Sequence, residues 1–191
     1  MTRFFPAFAS RARPPDSELL GADVGAEGDG LRGVLTVTDP ADLSLDKVRA
    51  EVEGNLWMLA PEAFRYFLPA FLNLSVEHYD SLRNFVAELI GALTEPTRAD
   101  VLQALNYAAQ IPGGMGLTSE TLRQLRQQQL DWYDSGKPLA TYQERIADLS
   151  SAEGEAILDF LVAIWDVHGE DFPFNEPRIA IDRHWGRYQK R

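Results

Sequence analysis

The side chains best suited to proton transfer or metal binding near neutral pH are His78, His168 and His184, and no two lie close in the sequence. A metal centre needs His, Asp or Glu clustered at helical or turn spacing. The nearest approach is HGED, where Asp171 follows His168 by three positions, too sparse a pair to hold an ion. Cysteine is absent, which excludes a disulfide framework, a thiol nucleophile and a zinc–thiolate site. Ser44, Ser75 and Ser119 fall where helices are expected to begin, so capping accounts for them. The glycine-rich PGGMG, Pro112 to Gly116, lacks the Lys-Ser/Thr of a phosphate loop and follows a helical pattern rather than a strand, so it reads as a helix stop. No catalytic residue, cofactor or metal is expected from these residues.

Arg65 stands apart because its surroundings are apolar. In PEAFRYFLPAFLNL, Pro61 to Leu74, the aromatic and aliphatic residues cover most of a helix circumference, which predicts a central helix buried all round. An arginine there needs a carboxylate or carbonyl partner. Arg65, Tyr66 or His168 is what an enzyme or small-ligand protein with a pocket between helices would use. Pro61 suits a first helical turn. Pro69, eight residues on, removes a backbone donor and predicts a kink or a junction of two short helices.

One surface pattern also carries chemistry. On the helix expected from Ser150 or Ser151 to about His168, Ile157, Phe160, Leu161, Ile164 and Trp165 form the inward stripe, and His168 continues it. Glu155, Asp159, Val162 and Asp166 fall in a narrow band opposite, and no Lys or Arg occurs between Ala147 and Pro177. An apolar residue among unneutralised carboxylates is what a basic protein partner would meet. The whole chain fits that reading: 29 acidic against 18 basic residues give a net charge of −11. Such a field repels nucleic acid and anionic membrane and draws a basic partner.

These residues require helices to position them. The stripe Leu45, Val48, Val52, Leu56 and Leu59 predicts a helix capped by Ser44. A further helix is expected from Ser75 through Val76, Tyr79, Leu82, Phe85, Val86, Leu89 and Ile90. Thr97 caps the next, with Val101, Leu102, Leu105, Ala108 and Ala109 inward, and Thr118 or Ser119 starts another that runs through Leu122, Leu125 and Trp132 and stops at Gly136. A shorter piece follows near Thr141 to Leu149, and the tail can form a last helix. Residues 1–40 read as an irregular arm whose one strand candidate is 33–38, where Leu35 and Val37 alternate with Thr36 and Thr38. The expected fold is therefore mostly α: an irregular multi-helix bundle, residues 41–191, around a central buried helix, with an N-terminal arm holding at most a small strand element.

The string WMLAPEAFRYFLPAFL resembles an uncharacterised bacterial family in which a Trp helix precedes a Pro-Glu-x-x-Arg-Tyr-Phe-Leu-Pro core, and LSSAEGEAILDFLVAIWDVHGEDF is similar to that family's later helix. The likeness spans residues 44–172. It implies a compact, bacterial, mostly helical protein and brings no activity or catalytic residues. Hydrophobic content of 45%, no apolar run of membrane-spanning length and no convincing signal segment point to the cytoplasm. The functional expectation is a protein–protein interaction protein, in its sharpest form an immunity protein that neutralises a basic bacterial toxin by occlusion.

Overall fold

The computed structural model describes residues 3–110 and 119–189. It is mostly helical, an irregular multi-helix bundle, and the described residues contain no strand; the one isolated β-bridge joins Leu20 to Leu59. The chain divides into two compact units, Met1–Thr94 with Arg145–Arg191, and Glu95–Glu144.

The larger unit is built on α3, Pro61–Glu77. Ala63, Phe64, Phe67, Leu68, Ala70, Phe71 and Leu72 are all buried along it, so the helix is apolar on nearly every side because nearly every side has a neighbour. Pro69 ends nothing: α3 runs through it as one helix, and the Asn73 side-chain amide donates to the Pro69 carbonyl at 2.7 Å. Ser75 is not a cap. It sits within α3, fully buried, while His78 to Leu82 form a turn and α4, Arg83–Ala92, starts only afterwards.

The arm is part of this core. Phe8 is buried at the end of the 3₁₀ turn Phe5–Phe8, Phe4, Leu19 and Leu20 are buried just outside such turns, and α1, Asp29–Thr36, occupies most of the strand candidate. Leu31 and Leu35 decide the matter: four residues apart, they share one helical face and both are buried. Arg13 closes the end of α1, donating to the carbonyls of Leu35, Thr36 and Thr38, where a helix leaves acceptors unpaired and favours a cation.

The segment from Ser44 keeps its stripe but not its helix. The Ser44 hydroxyl accepts from the Lys47 amide, capping the single turn α2, Leu45–Lys47, and a wide turn follows over Val48–Val52. Gly54, in the left-handed region at φ +80°, then breaks the run before the 3₁₀ turn Leu56–Met58. Val48, Val52, Leu56 and Leu59 still all reach the core.

The smaller unit contains α5, Arg98–Gln110, α6, Ser119–Asp134, and most of α7, Lys137–Ile146. Thr97 caps α5 through reciprocal bonds with Asp100. Gly136, at φ +77°, ends α6 as expected. Val101, Leu102 and Leu105 are half-buried, as is Leu122, whereas Leu125 and Trp132 are exposed. The glycine-rich Pro112–Gly116 and Thr118 lie outside the described residues.

The chain closes through α8, Ser151–His168, and α9, Glu176–Arg183, which pack against each other in the larger unit. Buried Trp185, just beyond, donates its indole N–H to the Leu93 carbonyl at 2.7 Å and ties the tail to the end of α4.

Candidate functional site

The outward face of α8 begins with how firmly its inward face is held. Ser150 and Glu153 form a capping box: the Ser150 hydroxyl accepts from the Glu153 amide, and the Glu153 carboxylate accepts from the Ser150 amide at 2.7 Å. Glu153 is almost wholly buried and also accepts two bonds from Arg11, at 2.5 and 2.9 Å. Burial alone would raise its carboxyl, but the bonds from Arg11 and Ser150 prevail and hold it below the usual range. Arg11 donates as well to the Asp148 carbonyl, so the N-terminal segment is stapled to the start of α8. One turn on, a Cβ at Gly154 would stand 2.4 Å from the Tyr188 ring, an approach only glycine allows.

Ile157, Phe160, Leu161 and Ile164 face the core as their spacing requires, while Trp165 and His168 are half-buried. Asp159, Val162 and Asp166 are exposed, and Glu155 is half-buried beside them. The band read from the sequence is therefore on the surface, with one difference. The Arg3 guanidinium lies 3.8 Å from the Asp159 carboxylate, both groups open to water, so a base distant in sequence partly neutralises the band. Arg3 is placed there by its backbone amide, which donates to Asn73 Oδ1 on α3.

Arg65, Tyr66 and His168 each have partners of their own. Arg65 is buried and pairs at 2.9 Å with Glu62, whose side chain is largely exposed. The Tyr66 hydroxyl donates to Asp39 at 3.2 Å. His168 stacks face to face on Tyr79, ring centres 3.5 Å apart, beyond the far end of α3. From Arg65 to the end of α3 at Glu77 is about 18 Å at 1.5 Å per residue, too far for one small ligand to span with His168. Tyr79 has its own neighbours: its hydroxyl donates to Asp171 at 3.1 Å, and Arg83 lies over its ring. Burial first, then Asp171, pushes the Tyr79 phenol up to about 12. Among the described residues no group of three or more His, Asp or Glu could hold a metal ion, and no helix is long and apolar enough to cross a membrane.

Two features have no counterpart in the reading of the sequence. Glu88 on α4 accepts the amides of Gly54 and Leu56, and buried Arg145 donates to the carbonyls of Leu56 and Trp57. Between them Trp57 stands 60% exposed. Its place one residue after Leu56 and two before Leu59 puts it off the inward stripe, which is a legible sign; Glu88 and Arg145 lie on distant helices and give none. Comparison with models of known protein families, with curated proteins and with solved structures finds no match.

Proposed function

We propose that this protein works by binding another protein, a basic one, on the outward face of α8. The observation that carries the reading is that Asp159, Val162 and Asp166 are exposed together on a helix whose opposite side is packed and whose start is stapled by Arg11 and Glu153. Such a face is preorganised, so little ordering is lost on association. The net charge supports it, since an acidic body steers a basic partner and quickens encounter. The sharper form is a cytoplasmic immunity protein that occludes a basic bacterial toxin; the likeness of residues 44–172 to an uncharacterised bacterial family belongs to this proposal. Basic proteins retained from a lysate of the source organism supply the partner for a kinetic test. The double variant Asp159→Lys, Asp166→Lys lowers their association rate about tenfold or more and flattens its salt dependence, with thermal stability nearly unchanged. Equal association rates for wild type and variant would reduce the band to a solvated face.

A further inference from the structure

Single apolar side chains on a surface are ordinary. Trp57 differs in how its main chain is held. Glu88 spends both carboxylate oxygens on the amides of Gly54 and Leu56, at 2.8 and 3.0 Å. Arg145, from the opposite direction in sequence, reaches the carbonyls of Leu56 and Trp57 at 3.2 and 3.4 Å while lying over the Phe64 ring. A half-buried carboxylate and a buried guanidinium thus fix four main-chain groups on three residues, and among the described residues the buried Nε of Arg145 has no hydrogen-bond partner. Burying charge is costly, and here the bonds obtained go to the turn that presents the indole. Further down the chain, the Met58 carbonyl accepts from Gly21 and the Ala60 amide donates to Leu19, so the turn is tied to the core there too. Trp132, the exposed tryptophan of the smaller unit, stands on a helix with no buried neighbour on either side in sequence.

The setting of the turn is acidic. No Lys or Arg occurs from Ala50 to Phe64, whereas Glu51, Glu53 and Glu62 do, and Glu53 is near enough to Glu88 to oppose its ionisation. Glu95–Glu144 holds six acidic and four basic residues, so nine of the eleven net negative charges belong to the larger unit that carries Trp57. An exposed indole on a tied-down main chain in an acidic stretch suits one chemistry above others: a cation laid on the ring face, with guanidinium favoured because its plane stacks.

We infer that Trp57 is an aromatic anchor for an arginine or lysine side chain of a basic protein partner, presented by the Glu88–Arg145 bracket. The partner's basic character rests on the reading of α8 above; the anchor itself does not. Tryptophan and arginine are among the residues most often found to dominate protein interfaces, and here the main chain that carries the indole is already held.

The probe is a hexa-arginine peptide titrated into the full chain, with hexa-citrulline as the uncharged isostere. Binding is read by calorimetry and by the indole N–H resonance of Trp57. Hexa-arginine moves that resonance and hexa-citrulline does not. Trp57→Ala weakens hexa-arginine about tenfold, the weight of one cation–aromatic contact, and Trp57→Phe recovers part of the loss. An unmoved Trp57 resonance, or equal affinity for wild type and Trp57→Ala, overturns the anchor. The variant Asp159→Lys, Asp166→Lys separates the two sites. Loss of peptide binding there alone refutes the anchor and spares the α8 face; loss in Trp57→Ala alone does the reverse.

Discussion

The two units of this chain are built from similar helices but bury them very differently. In the larger unit, aromatic and aliphatic side chains at 2% exposure or less run from Ala63 to Leu72 on α3 and from Ile157 to Ile164 on α8. In the smaller unit, Pro138 and Tyr142 are the only buried residues among those described, and Val101, Leu102, Leu105 and Leu122 reach only half-burial. Its α6 carries Gln124, Gln127, Gln128 and Gln129 where a packed helix would need apolar residues. The difference teaches where stability resides. Helical periodicity, with the Thr97 cap on α5, accounts for these helices, but their described residues bury little surface, and burial is what stabilises. Function as proposed follows the same division, because the α8 face and Trp57 both lie on the unit that can hold a side chain still.

The largest effect that sharpens this comparison is expected at Phe67, fully buried on α3 and in edge contact with Tyr66. Phe67→Ala should cost about 3–5 kcal/mol in chemical denaturation. A loss below about 1 kcal/mol would mean that α3 is not the centre of the core.

Next comes the staple. Arg11→Met leaves the Glu153 carboxylate buried without its cation, and removing one member of a buried pair costs about 3–5 kcal/mol. Arg65→Met is the control: the carboxylate it abandons, Glu62, is exposed and rehydrates, so its loss should be markedly smaller. Equal losses for the two variants would show that the Arg11–Glu153 pair has no special weight.

Acid should weaken the larger unit through His184. Burial first, and Arg187 beside it, pull the imidazole down to about 4 from an ordinary value of 6.5. Between those two values the unfolded chain binds a proton that the folded chain does not, so stability falls as pH drops from about 6.5 to about 4. His184→Gln should flatten that slope, measured as denaturation midpoints over this range; an unchanged slope would assign the acid sensitivity elsewhere.

The smallest effects are expected in the other unit. Leu125→Ala and Trp132→Ala remove exposed side chains and should each shift global stability by no more than about 0.5 kcal/mol. Hydrogen exchange offers the direct contrast, with amides of α5 and α6 exchanging well before those of α3 and α8. Slow exchange in α6, or a core-sized loss from Trp132→Ala, would break the comparison.

How legible all this was depended on the range of the interaction. The start of α8 was readable because Ser150 and Glu153 satisfy each other within one turn, and Thr97 with Asp100 likewise. The exposed band of Asp159, Val162 and Asp166 followed from 100° per residue alone. Residues 33–38 misled because a short run alternating Leu35 and Val37 with threonines fits a strand as well as a helix, until Leu31 finds the same core as Leu35. Ser75 misled because a hydroxyl before an amphipathic run signals a start only if the preceding helix has ended. Val101, Leu102 and Leu105 reach only half-burial because periodicity names a face without supplying anything to cover it.

What the sequence determined by itself was local: that the chain is mostly helical, where Thr97 and Ser150 cap helices, that Pro61–Leu74 must lie inside, and that the chain is strongly acidic. These follow from propensity, period and charge, which act within a few residues. Only the tertiary structure decided that the arm supplies Phe4, Phe8, Leu19 and Leu20 to the core, that Arg11 and Glu153 meet 142 positions apart, that Arg3 tempers Asp159, and that Glu88 and Arg145 bracket Trp57. Each of those contacts joins residues that no local rule couples, because a charged or apolar side chain is satisfied by whichever group the packed core brings within reach.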